Sequence, residues 1–236
     1  MAQTVPNPNC AQCEHRVDSA FGSLSEGDLP ILTEQKICRR YRKGETLFFA
    51  GDDPGGLYCI HHGKIKMYRT GNDGKEQIIR LGKAGDILGY RALIGGEPHT
   101  ITATTLEEAH VCFIPKGMFF SLLSSRPAFS LRLFEILSDD VEVVERKVVE
   151  MAQKSIRERL AEALLLLKST YGMKPNTHTL NVKITREDIA GIVGAATESV
   201  IRNLTELKDE GIIGLEGRAI QVLDSEALVK AANLDD

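Results

Sequence analysis

No stretch of the 236 residues approaches the run of about 18 apolar residues that a membrane-spanning helix needs. The opening "MAQTVPNPNCAQC" has neither the basic start nor the apolar core of a secretory signal. Both absences lead to the expectation of a cytoplasmic protein with no membrane partner. Cysteine is sparse, and its count of five is odd, which in such a chain argues against a disulfide framework and for free thiols or metal ligation. Only Cys10 and Cys13 have an informative spacing. An excess of positive charge is also missing. The formal net charge is -4, and from Ala152 onward 11 lysines and arginines face 13 aspartates and glutamates. Any contact with DNA must therefore rest on positive charge gathered locally. Internal repeats and low-complexity tracts are absent, and only the first nine or so residues look loose.

What is present is ordinary for a globular chain: 42% apolar and 26% charged residues. Between residues 39 and 115, glycines separate short alternating or apolar segments, among them "TLFFAG", "GLYCIHHG", "KIKMYRTG", "EQIIRLG" and "TITATTLEEAHVCFIP". Short strands at this spacing, with turns such as "NDG", predict a compact antiparallel barrel or sandwich. The paired His61 and His62 raise a metal-dependent barrel enzyme of the cupin type. Adjacent strand residues face opposite sides, however, and no His-x-His with a downstream Glu and His follows. No enzyme is expected.

From Pro127 the pattern changes. No glycine falls between Gly117 and Gly172, and Phe134, Leu137, Val141, Val144, Val148 and Met151 recur at steps of three and four. A narrow apolar seam with charges elsewhere predicts a helix that pairs with a second copy of itself. The segment "SIRERLAEALLLLKSTYG" then reads as an apolar helix and "THTLNVKIT" as a strand. Two short helices and the strand pair "GIIGLEG" and "AIQVLD" complete an α+β chain.

The two short helices carry the chemistry. Thr185 and Asp188 have the form of a capping box that starts the first helix. Ile189, Ile192 and Val193 give it an inner face, Gly194 permits the tight turn, and Val200, Leu204 and Leu207 at i, i+4 and i+7 give the second helix its buried stripe. Glu198 and Arg202 then share the opposite face with Thr205, with Ile201 at its edge. This is the pattern of a helix-turn-helix whose second helix enters the major groove. An arginine can grip O6 and N7 of guanine, and a carboxylate can accept from the N4 amine of cytosine. Lys183, Arg186 at the first helix's start, Lys208 and Arg218 in the turn of a wing are the candidate phosphate contacts.

Over nearly its whole length the chain resembles the bacterial regulators typified by the cyclic-AMP receptor protein and the fumarate-nitrate regulator, the Crp/Fnr family. The resemblance is carried by "KGETLFFAGD", "LYCIHHGKIK", "AGDILG", the long helix after Pro127 and "ITREDIAGIVGAATESVIRNLTELKDEGII". It implies an N-terminal sensory barrel of the cyclic-nucleotide-binding, double-stranded β-helix type, a long dimerisation helix and a C-terminal winged helix-turn-helix. The corresponding segments are a loose stretch with the CxxC at 1–22, the barrel at 23–126, the dimer helix at 127–154 and the DNA-binding domain at 155–236. The implied partners are a second copy of the chain, a palindromic operator and RNA polymerase. Glu198 and Arg202 match the family's base readers. Thr197 stands where the cyclic-AMP branch has arginine, and Ile201 where the fumarate-nitrate branch has serine.

The signal is read from what replaces the family's ligand groups. Tyr90 occupies the place of the glutamate that marks the cyclic-AMP pocket, and the expected phosphate-binding arginine is replaced around Pro98 and His99. Burying a cyclic phosphate without a guanidinium is costly, so cyclic AMP is not the expected effector. The fumarate-nitrate branch holds an iron-sulfur cluster with four cysteines. Cys10, Cys13 and Cys112 match three of those positions, and Ser19 with Asp18 beside it stands at the fourth. The alternatives are a cluster with a substituted ligand, a thiol switch at Cys10 and Cys13, and a small ligand or none, with Cys38, Cys59 and Cys112 simply buried.

Overall fold

A computed structural model describes residues 2–17 and 19–234. They fall into two compact units, Met1–Arg69 with Arg80–Glu142, and Thr70–Ile79 with Val143–Asp236.

The first unit contains strands β1 (Gln3–Thr4), β2 (Ile37–Tyr41), β3 (Thr46–Phe48), β4 (Gly56–His62) and β5 (Ile65–Thr70). Strands β6 (Glu76–Gly82), of which only Arg80–Gly82 belong to this unit, β7 (Ile87–Leu88), β8 (Thr102–Thr105) and β9 (Ala109–Pro115) follow. They form two ladders, ordered β1-β2-β9-β4-β7 and β3-β8-β5-β6. The expected barrel is thus a jelly-roll-like pair of sheets and not a closed cylinder. The alternation anticipated from the sequence fills the space between the sheets: Ile60 and Val111 of one ladder pack with Phe48, Ile65, Met67 and Ala103 of the other. Helix α1 (Asp28–Gln35) precedes β2, α2 (Tyr90–Gly95) follows β7, and α3 (Lys116–Ser125) leads into the long α4 (Pro127–Gln153). A second core joins Leu29, Leu32, Phe119, Phe129 and Leu133 to the sheet residues Leu57 and Ile114. Buried Asp28 ties α1 to the α3–α4 junction: Arg126 Nε and Nη2 donate to its carboxylate at 2.6–2.9 Å. That guanidinium, with the Ser25 hydroxyl, holds the Asp28 carboxyl well below the usual carboxylate range.

The segment expected to be loose at the N-terminus is tied down. Gln3 and Thr4 pair with Arg40 and Arg39, and the Asn7 side chain accepts from Cys38 N at 3.0 Å while donating to Lys36 O at 2.8 Å. An amide side chain that serves as both donor and acceptor replaces missing strand bonds, a signal that composition does not reveal.

In the second unit, α5 (Ile156–Tyr171), α6 (Arg186–Val193), α7 (Thr197–Asp209) and α8 (Ser225–Ala231) surround a core containing Leu160, Leu164, Ile189, Val200, Leu204 and Leu207, with β10 (Ile213–Glu216) and β11 (Ala219–Val222) as a two-stranded ribbon. Helix α5 starts at a capping box in which Ser155 and Glu158 satisfy each other's backbone N–H. "THTLNVKIT", read as a strand, makes only isolated bridges, Met173 with Leu180 and Thr179 with Gln221. Its alternation is satisfied one-sidedly: Leu180, Val182 and Ile184 are buried, and pairing with β11 is confined to the His178–Leu180 end, where Leu180 N donates to Ile220 O and His178 O accepts from Val222 N.

Candidate functional site

The helix-turn-helix is assembled by contacts close in sequence. The Thr185 hydroxyl accepts from Asp188 N at 3.0 Å, and the Asp188 carboxylate accepts from Thr185 N at 3.2 Å, so the capping box opens α6 as the spacing predicts. Helix α6 ends at Gly194 with φ +69°, a left-handed conformation that a side chain would strain. The Met151 side chain also lies where a Gly194 Cβ would stand. Helix α7 then buries Val200, Leu204 and Leu207 completely. Asn203 on the same side is buried as well, its amide donating to Ser199 O at 2.8 Å.

The opposite side of α7 presents Glu198, Ile201, Arg202 and Thr205, all exposed, with Thr197 half-buried at the helix start. Lys183, Lys208 and Arg218 are exposed in the same unit. Arg186 differs from its expected role as a free phosphate contact. It is half-buried, and its guanidinium donates to Gly217 O in the β10–β11 turn at 3.2 Å. It therefore braces the ribbon against the start of α6, a role invisible in sequence because the two residues are 31 apart. On α4, Phe134, Val141, Val144, Val148 and Met151 are exposed at 40–63% of their surface. Leu137 instead packs against the core of the first unit.

Around Tyr90, the one arginine among the described residues that bonds to its hydroxyl, Arg80, is already paired. Tyr90 is buried, and its hydroxyl donates to the Asp140 carboxylate of α4 while accepting from Arg80 Nη1 at 2.5 Å. Arg80 and Asp140 are themselves paired at 3.2 Å. Burial pushes the Tyr90 phenol above its ordinary value, so it stays a neutral donor. Arg91 is exposed. His99 is buried and stacked on Phe48, ring centroids 3.9 Å apart, and burial lowers its pKa. Arg80 and Asp140 escape a sequence reading because each belongs to a different element and neither carries a motif.

The five cysteines converge. Strand register sets Cys38 opposite Cys112 and Cys112 opposite Cys59 across three neighbouring strands. Cys38 and Cys112 are joined as a disulfide, 74 residues apart in sequence. The expectation that this chain would hold only free thiols or metal ligands is corrected accordingly, since cross-strand pairing brings two β-carbons within bonding range whatever their separation in the chain. Cys10, Cys13 and Cys59 are free. A small cavity of about 40 Å³ is lined by Cys10, Cys13, Lys36, Cys59, His61 and Cys112, among others. Lys36 is buried, and its ammonium donates to Pro8 O at 2.6 Å and to Cys10 Sγ at 2.9 Å. Cys13 Sγ lies 3.8 Å from His61 Nδ1. Burial pushes the Cys59 thiol up to about 12, and burial followed by the Lys36 charge pushes the His61 pKa down.

The four-thiolate set of an iron-sulfur cluster is not assembled here. The Cys112 sulfur is bonded to Cys38, and a sulfur in a disulfide is no thiolate ligand. At the fourth position, the Ser19 hydroxyl donates to Arg16 O at 2.7 Å and accepts from Phe21 N, capping a short 3-10 turn. Asp18 lies outside the described residues. Among the described residues no group of three or more His, Cys, Asp or Glu side chains is disposed to hold a metal ion. Lys36 and His61 were not anticipated as parts of this site; a lysine before a strand and a histidine within one carry no local signal.

A jelly-roll-like module followed by a winged helix-turn-helix with a polar outer face defines a two-module DNA-binding regulator. Residues 38–126 match the family model of the cyclic nucleotide-binding domain, and residues 158–231 match that of the Crp-like helix-turn-helix domain. The chain belongs to the Crp/Fnr family of transcription regulators. It is 31% identical over 217 residues to the fumarate and nitrate reduction regulatory protein of Vibrio cholerae, covering 90% of this chain and 85% of that one. To the CRP-like cAMP-activated global transcriptional regulator of Mycobacterium tuberculosis it is 28% identical over 217 residues, covering 90% and 95%. In fold it is similar to FixK2 from Bradyrhizobium japonicum, with a TM-score of 0.73 at 22% identity over 82% of this chain and 96% of that one. The first two of these relatives are named as regulators.

Proposed function

We propose that the chain acts as a homodimer whose two α7 helices read the halves of a palindromic operator, under control of a redox signal and not of cyclic AMP. The observation that carries the DNA-reading part is the division of α7: Val200, Leu204 and Leu207 are buried, while Glu198 and Arg202, one turn apart, are left to solvent. Two such side chains match neighbouring base pairs, with Arg202 directed to a guanine and Glu198 to a cytosine amine. Thr197 and Ile201 flank them, Ile201 able to pack on a thymine methyl. Lys183, Lys208 and Arg218 supply the local positive charge that the overall balance of -4 lacks. Arg186 contributes by holding the ribbon.

Dimerisation through α4 is supported by its exposed row of Phe134, Val141, Val144, Val148 and Met151, an apolar stripe that a second copy would cover. A two-fold axis along it sets the half-sites about 34 Å apart. RNA polymerase is the further partner in this role. The test of operator reading is Arg202→Ala, expected to lose about 1–3 kcal/mol on the correct site and to relax preference at one G·C pair. An equal loss on every sequence, measured by competition binding, would reduce Arg202 to a backbone contact and overturn the assignment.

Against cyclic AMP stands the occupied hydroxyl of Tyr90, held by Asp140 and Arg80, whose guanidinium is already engaged by a phenol and a carboxylate and so is not free to neutralise a buried phosphate. In favour of a redox signal stands the convergence of Cys10, Cys13, Cys59 and Cys112 on one cavity. The thiol form of that reading fits the side chains; the cluster form does not, for the reasons given by Cys112 and Ser19.

A further inference from the structure

We propose that Cys10 is a peroxide-reactive thiol activated by Lys36, that hydrogen peroxide is its oxidant, and that Cys13 resolves it to a disulfide. The inference deepens the redox reading above and rests on it for its regulatory meaning, though the chemistry stands on its own geometry.

A buried ammonium needs negative charge beside it. The Lys36 ammonium has two acceptors, the Pro8 carbonyl oxygen and Cys10 Sγ at 2.9 Å, and among the described residues no carboxylate pairs with it. Of these two acceptors only the sulfur can become an anion. The thiolate is the nucleophile in cysteine chemistry, and a neighbouring lysine is one of the settings that produce it. The three free thiols around the cavity are therefore not equivalent. Cys10 has the cation, Cys13 has a histidine ring nitrogen at 3.8 Å, and Cys59 lies on the sheet with neither as a hydrogen-bond partner. The cavity, about 40 Å³, is large enough for one or two water-sized molecules. That admits hydrogen peroxide.

The oxidation balances without a further co-reactant. The Cys10 thiolate attacks one peroxide oxygen, an S–O bond forms, the O–O bond breaks, and hydroxide leaves as water after taking up a proton. Cys10 is then a sulfenic acid. Cys13 sulfur attacks the Cys10 sulfur, an S–S bond forms and the S–O bond breaks. The departing hydroxide leaves as a second water with the Cys13 thiol proton, for which His61 Nδ1 is the adjacent acceptor. Two thiols lose two electrons and the peroxide gains them. The short 3-10 turn Cys10–Gln12 favours the second step, because side chains three residues apart eclipse in a 3-10 helix, and Cys13 N already bonds to Cys10 O. The disulfide removes from Lys36 its only ionisable acceptor among the described residues, and Lys36 also holds the Pro8 carbonyl of the segment tied along β2.

The full chain is treated with hydrogen peroxide and followed by mass spectrometry, with dimedone as the sulfenic-acid trap. Wild type is expected to lose two hydrogens within the tryptic peptide that carries both Cys10 and Cys13, and Cys13→Ser to accumulate dimedone on Cys10. Lys36→Gln should slow Cys10 oxidation about tenfold, whereas Lys36→Arg, which keeps the charge, should stay within about twofold of wild type. First labelling of Cys59, or equal rates for Lys36→Gln and wild type, would overturn the site. Operator binding separates this from the underlying reading. If peroxide forms the Cys10–Cys13 disulfide and binding is unchanged, the site holds and redox control fails. If binding of Cys10→Ser responds to peroxide as wild type does, redox control holds and the site fails.

Discussion

The helix-turn-helix and the cysteine-lined cavity are built in opposite ways. In the first, every decisive contact joins residues a few positions apart: Thr185 with Asp188, Gly194 at the turn, and Val200, Leu204 and Leu207 along one stripe. In the second, residues 10–13, 36–38, 59–61 and 112 come from four separate segments and meet only because strands β2, β9 and β4 lie side by side. A site of the first kind can be moved between chains as a unit. A site of the second kind depends on strand register, and a one-residue slip would turn each cysteine to the other face.

The contrast can be broken or sharpened by substitution. The largest effect is expected at the long-range link. Cys112→Ser removes a cross-link spanning 74 residues and should cost about 4 kcal/mol by the loop-entropy argument. Urea unfolding without reductant measures it, and added reductant should abolish the difference from wild type; a difference that survives reduction would assign the loss to packing. Next comes Leu204→Ala, which empties a fully buried position in α7 and should cost about 3 kcal/mol. Because its contacts lie in the second unit, the loss should appear in hydrogen exchange of α6 and α7 and leave protection of β4 and β9 unchanged. Smallest is Thr185→Ala, a purely local change that removes the hydroxyl accepting from Asp188 N and should cost about 1 kcal/mol in thermal unfolding. Thr185→Ser should restore most of it, and a loss as large as that of Leu204→Ala would show that the cap has a tertiary role.

Legibility followed the same division. Glycine-punctuated strands, the long helix, the capped α6 and the α7 that follows Gly194 lay open to pattern reading, since period, cap and turn are local properties. "THTLNVKIT" misled because an alternating segment announces a buried face without saying how far a neighbouring strand runs beside it: β11 pairs only with its first residues. The N-terminal residues looked loose because their anchor is one side chain, Asn7, bonding across 29 and 31 positions. Arg186 looked like a phosphate contact because its other partner, Gly217 O, belongs to the ribbon. The cysteines were the least readable. Spacing singled out the Cys10–Cys13 pair but could not disclose that Cys112 would meet Cys38, or that Lys36 would stand beside Cys10.

The sequence by itself determined the long helix, the capped start of α6 and its end at Gly194, and which face of α7 carries Glu198 and Arg202, because hydrogen bonds and apolar periods within a few residues fix them. Only the tertiary structure decided which sulfur meets which, what occupies the Tyr90 hydroxyl and where the Lys36 ammonium goes. Those outcomes depend on sheet register and burial, and the free energy that sets them is distributed over the whole core and not held in any short stretch of chain.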